Sequence, residues 1–134
     1  MNKQISQTAA IRFAALPAIN APFCDGTFVG ITTNKDGQHF AVCQLPSRVT
    51  KVTWQAATDW AKGLNAELPS RTVAAMIVAN VEDRPKSGWY WTCESVDGDT
   101  SYAWHCTFSN GHQYGTRKSY EGAAVAVRLI PLTA

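Results

Sequence analysis

Between Gly88 and Tyr120 the chain reads GWYWTCESVDGDTSYAWHCTFSNGHQYGTRKSY, which holds three of the five tryptophans (Trp89, Trp91 and Trp104) and all four tyrosines. Aromatics at this density, broken by turn formers, predict pleated strands that fill a core and end in polar loops. Trp89 to Glu94 reads as one strand and Ser95 to Ser101, SVDGDTS, as a loop. Tyr102 to Phe108 alternates as a second strand. Tyr102, Trp104, Cys106 and Phe108 share one face, and Ala103, His105 and Thr107 fall on the other. Asn110-Gly111 supplies the positive φ angles of a tight hairpin turn, and His112 to Thr116 returns antiparallel. Ala123 to Ile130 is small and apolar throughout, as a central strand covered on both faces would be.

Upstream, Gly26–Thr32 and His39–Leu45 form a hairpin across the Asn34-Lys35-Asp36-Gly37 turn, and Pro46 and Ser47 end it. Thr53 is placed to cap a helix whose apolar stripe is Trp54, Ala57, Trp60, Ala61 and Leu64. Ser70 is placed to cap a second helix through about Val81, with Val73, Ala74, Met76, Ile77 and Val81 apolar. Helices grouped between two β regions predict an α+β fold, with both helices on one side of an antiparallel sheet. Trp54, Trp60, Trp91 and Trp104 are expected in one core cluster with Ile77. Residues 1–20 read as an N-terminal extension or an edge strand, Ile11 to Leu16 being the candidate; residues 21–134 read as a single domain.

With 134 residues the chain can bury a core without staples. Its charged fraction is 16%, against roughly 25% in ordinary globular proteins. The net charge of +2 comes from scattered lysines and arginines, which argues against a nucleic-acid footprint. No apolar run approaches the roughly 20 residues of a membrane span. Arg12 interrupts the best candidate for a signal-peptide core, so the default location is the cytoplasm of the producing cell. Cys24, Cys43, Cys93 and Cys106 form no C-x-x-C pair and read as reduced, mostly buried thiols.

Several motifs, in this order, resemble the DUF1566 family: Glu67-Leu68-Pro69-Ser70-Arg71, Trp89-Tyr90-Trp91-Thr92, Tyr102-Ala103-Trp104, Phe108-Ser109-Asn110-Gly111, Lys118-Ser119-Tyr120-Glu121-Gly122 and Ala126-Val127-Arg128. The likeness runs from about Leu16 to Leu132, and the upstream GTFVGI hairpin and TWQAATDWA helix also look like the short members found in phages and prophages. It implies a C-type-lectin-like fold, and a location in the cytoplasm of a phage or prophage host or on a virion. Relatives on that fold bind sugars, proteins or receptors through loops and strand faces at one end of the sheet. A non-catalytic binding module for a protein or glycan partner is therefore implied, acting in host interaction or against host defence. No cofactor and no membrane partner are expected. The ligand surface would comprise the Ser95–Ser101 loop with Asp97 and Asp99, the outward His105 and Thr107, and His112 and Tyr114 beyond the turn. The alternative is an enzyme related to the sulfatase-modifying, formylglycine-generating proteins, which use a cysteine pair; Cys93 and Cys106 would then have to approach one another.

Glu94, Asp97 and Asp99 are close enough in sequence to hold a hard cation, or equally to form an ordinary turn. His105 and His112 flank the Asn110-Gly111 turn, but there is no Gly-x-Ser-x-Gly nucleophile elbow. At Arg71 the family also carries arginine. A buried bidentate pair with Glu121 is the preferred reading, and an anion site at the helix start is the other.

Overall fold

The computed structural model describes residues 9–134. Residues 1–8 of the N-terminal extension lie outside the described residues. The first described strand is shorter than the one predicted over Ile11–Leu16: β1 is Ile11–Arg12, parallel to the chain's last strand, and one 3-10 turn at Phe13–Ala15 succeeds it.

The α+β architecture is as the sequence predicts. The strands are β2 (Pro22–Phe23), β3 (Gly26–Thr33), β4 (His39–Val52), β5 (Trp89–Val96), β6 (Asp99–Thr107), β7 (Gln113–Arg117) and β8 (Gly122–Thr133), and the helices are α1 (Trp54–Gly63) and α2 (Arg71–Asn80). They build one eight-stranded sheet in the order β2-β3-β4-β8-β5-β6-β7, with β1 also on β8. All pairings are antiparallel except β1 with β8 and β5 with β8. β8 is central, and Gly122 to Val127 are buried without a break.

Both predicted caps form. Thr53 Oγ1 accepts from Ala56 N–H at 3.3 Å and Ser70 Oγ from Val73 N–H at 3.1 Å, each satisfying an orphan donor of the first turn.

Three local expectations are corrected. The strand after the first hairpin does not stop at Pro46 but continues to Val52. Register shifts between Gln44 and Arg48 leave Leu45, Pro46 and Ser47 outside the ladder with β8, so the missing proline N–H breaks no bond. SVDGDTS is not a loop: Val96 pairs with Asp99, and Asp97-Gly98, with Gly98 at φ +81°, is the two-residue turn of the β5–β6 hairpin. At Asn110-Gly111 only Gly111 takes a positive φ, +83°. Phe108 to Gly111 form a four-residue loop closed by Thr107 N–H donating to His112 O at 2.8 Å.

The helices do not share a side of the sheet. Ala57 and Ala61 of α1 pack with Ala41, Cys43, Trp91, Ala103, Ala124 and Ala126. Val73, Ala74 and Ile77 of α2 pack with Val42, Tyr90, Cys106, Phe108, Val125 and Val127. Successive side chains of β4 and β8 go to opposite faces, so the sheet is covered by α1 on one face and α2 on the other. The tryptophan expectation changes with it. Trp54, Trp60 and Trp91 share the α1-side core, but Ile77 belongs to the α2-side core, and Trp104 belongs to neither. Only Trp91 is fully buried, its indole N–H donating to Val52 O at 3.0 Å.

Candidate functional site

Beyond the reach of α1, the face formed by β5, β6 and β7 carries a row of aromatic rings. The register places His105 opposite both Trp91 on β5 and Tyr114 on β7. Trp89 packs on the His105 ring at 4.6 Å between centroids, tilted by 40°, and His105 lies 5.7 Å from the Tyr114 ring. Past the loop, His112 approaches Tyr114 edge-on at 6.2 Å, with its Nδ1 3.2 Å from the tyrosine hydroxyl. Thr107 ends β6, half-buried, opposite Trp89. Four of the six proposed ligand residues, His105, Thr107, His112 and Tyr114, are thus brought together.

Their exposure differs from the expectation. Tyr114 is 54% exposed, whereas His105 is only 9% exposed and not outward. Trp89 and Tyr114 flank the imidazole, and its Nδ1 meets Thr116 Oγ1 at 2.7 Å. Burial lowers the His105 pKa, so the neutral ring is the favoured form, and either of its tautomers can make the hydrogen bond with Thr116. Tyr114 is the surface of the row, and His105 is its support.

Asp97 and Asp99 are elsewhere. They sit at the tip of the β5–β6 hairpin, six residues from His105 along β6, roughly 20 Å at the rise of a strand. Asp99 accepts from both Ser101 N–H and Ser101 Oγ–H, and those two bonds, side-chain bond first, lower its carboxyl pKa. Glu94 does not join them, since its Oε2 accepts from Arg71 N–H at 2.8 Å. Of the two readings of this acidic run, the structure therefore shows a turn; among the described residues no three His, Cys, Asp or Glu side chains are gathered as a metal site needs.

The preferred reading of Arg71 is also corrected. Glu121 is exposed and makes no contact with it. The guanidinium lies over the Trp104 ring, 3.8 Å from its centroid, and Nε donates to Gln113 Oε1 at 2.8 Å. Gln113 completes the exchange by donating from Nε2 to the Arg71 carbonyl at 2.9 Å. At the start of α2, where the alternative reading put an anion site, the Glu94 carboxylate receives the first helical N–H. Trp89, Thr116 and Gln113 were not among the residues proposed for the ligand surface. One signal for Trp89 lay in the sequence, in Gly122: a Cβ at that position would overlap the indole.

All four thiols are free, but they are not mostly buried as expected: Cys43 and Cys106 are buried, whereas Cys24 and Cys93 are exposed. Tyr90, not Cys93, stands opposite Cys106. Cys43 Sγ donates to the carbonyls of Phe23 and Cys24 at 3.0 and 3.1 Å. Burial pushes the Cys43 thiol up to about 11, and the Cys93 thiol is raised as far, by partial desolvation first and then by the Glu94 and Glu67 carboxylates, although the residue is exposed. Both are thus protonated near neutral pH, and a thiol in that state is a poor nucleophile. No helix among the described residues is long and apolar enough to cross a membrane. Compared with known proteins, the chain matches no protein-family model and no curated protein sequence.

Proposed function

We propose that the chain is a non-catalytic binding module of the C-type-lectin-like kind that its likeness to the DUF1566 family implies, acting on a protein or glycan partner. The observation that carries the reading is Tyr114: a large ring, 54% exposed, on a strand paired to a covered sheet. Its hydroxyl is held by His112 and its ring lies against His105, on which Trp89 packs in turn. An aromatic with few rotatable bonds, fixed before contact, loses little entropy on binding and offers an apolar face with a polar end. Proteins and sugars both dock on such surfaces. Thr107 and His112 form the polar border. Asp97 and Asp99 are too distant to share one small ligand with Tyr114, though a protein partner can span both. The location that goes with this reading is the cytoplasm of a phage or prophage host, or a virion.

The test compares wild type with the His112→Ala/Tyr114→Ala double variant in pull-downs from host lysate and in binding to immobilised glycans. Both side chains are exposed, so the melting temperature should stay within about 2 °C. A partner retained by wild type and lost by the variant supports the assignment. A partner retained equally by both removes Tyr114 from the site.

A further inference from the structure

On the opposite side of β7 from Tyr114, Arg71 opens α2 with its side chain already fixed. The guanidinium is stacked on Trp104, and its Nε is taken by Gln113 Oε1. Among the described residues its two Nη atoms have no protein partner within hydrogen-bonding distance, and no carboxylate lies within ion-pairing distance. Arg71 also lines a shallow depression of about 620 Å³, together with Thr72, Ala75, Glu94, Gly111 and Gln113. An arginine that only tied helix to sheet would aim its fork at a protein acceptor. Here the fork is held from behind by an aromatic ring and from one side by an amide, and its terminal edge is left without a protein acceptor.

We propose that Arg71 is the anchor of a carboxylate-binding site, distinct from the Tyr114 surface. With Nε engaged, the remaining donors are the parallel N–H groups of the terminal Nη edge. Two coplanar acceptor oxygens match that edge in a bidentate pair. Stacking on Trp104 holds the fork in one plane before the ligand arrives, so little side-chain entropy is left to lose. Glu94 selects among anions. Its carboxylate lines the same depression while engaged with the Arg71 N–H, and its repulsion grows with ligand charge, so a monoanionic carboxylate is disfavoured less than a phosphate dianion. Gly111 and Ala75 keep the rim low, which suits a carboxylate at the end of a larger ligand.

The test is an NMR titration of the intact chain with benzoate, with benzamide as the uncharged isostere and inorganic phosphate at matched ionic strength. Benzoate is expected to shift the Arg71 Nε–H and Trp104 indole N–H resonances saturably, and benzamide to leave them in place. Arg71→Lys keeps the charge but loses the planar fork, and should weaken benzoate at least tenfold. Thr72→Asp is a second variant, placing a like charge on the ligand at an exposed first-turn position where an acidic residue suits the helix; it should abolish the response in a folded protein. Equal shifts with benzamide, unchanged benzoate affinity in both variants, or tighter binding of phosphate than of benzoate would each overturn the proposal. None of these readouts involves Tyr114 or His112, so failure of the binding surface proposed above leaves them unaffected.

Discussion

At Gly122 a hydrogen atom decides where an indole sits. Any Cβ there would enter the six-membered ring of Trp89, the ring that backs His105. Gly122→Ala must therefore displace Trp89 or part β8 from β5. We expect a loss of about 1–3 kcal/mol, the usual range for overpacking, together with a changed His105 environment; an alanine variant with unaltered denaturant midpoint and His105 shifts would show that Trp89 is not seated there. His105 gives a prediction in pH. Its pKa is lowered from 6.5 by burial, so between that value and the folded one the unfolded chain binds the extra proton. Stability attributable to His105 is then complete above pH 6.5 and falls as the pH drops through the folded pKa. In His105→Gln that part of the slope should vanish, and denaturant midpoints of the two proteins at pH 7.5 and 5.5 measure it. These relations were only half legible beforehand. The alternation of β6 put Ala103 and His105 on the same face, as found, but alternation cannot say that Trp89 covers that face. Arg71 was singled out by its motif. Its partner Gln113, 42 residues away, has no local signature, and a carboxylate in a recurring motif was the natural wrong choice.

The helices and hairpins were legible because their signals are local. A hydroxyl at the N-cap and a stripe at helical spacing are complete within about ten residues, and both α1 and α2 begin where those signals place them. Which face of the sheet each helix covers is not a local property. Both have an apolar stripe, and β8 is apolar on both sides, so either helix satisfies either face until the β4 bulges and the crossover fix the path. Proline misled for the same reason: Pro46 ends a regular ladder, and a bulge is not a regular ladder. The start of α2 yields a prediction of its own. Two separate groups satisfy its first-turn donors, Ser70 Oγ at Val73 N–H and Glu94 Oε2 at Arg71 N–H. Ser70→Ala should cost about 1 kcal/mol. Glu94→Gln should cost less, about 0.3–1 kcal/mol, and that cost should shrink in high salt because it is partly charge–dipole attraction. Equal, salt-independent losses in the two variants would mean that the carboxylate acts only as a neutral cap.

Across the whole molecule the sheet is buried at its middle and open at one side. β8 has β4 and β5 as neighbours, α1 on one face and α2 on the other. β7 is the last strand, paired with β6 alone. Its pattern of open and closed backbone groups is set by two bonds at its ends: Thr107 N–H donates to His112 O, and Lys118 N–H donates to Ser101 O. In an antiparallel ladder hydrogen-bonded pairs alternate with non-bonded ones, and the register runs unbroken from Tyr102–Arg117 to Cys106–Gln113. His112, Tyr114, Thr116 and Lys118 therefore turn their N–H groups toward β6, while Gln113, Gly115 and Arg117 turn theirs outward. Native-state hydrogen exchange should resolve this parity. Amides of Ala124 to Val127 should exchange only with global unfolding, those of Tyr114 and Thr116 at an intermediate rate, and those of Gly115 and Arg117 close to the unprotected rate. Such an edge is a template for an added strand unless something shields it. The alternation is therefore also a control on partner binding. If Gly115 is as protected as Tyr114 in the isolated protein, and its protection falls on dilution, a second copy of the chain is already paired there. If it gains protection only with a partner present, that partner reaches the β7 edge as well as the Tyr114 ring.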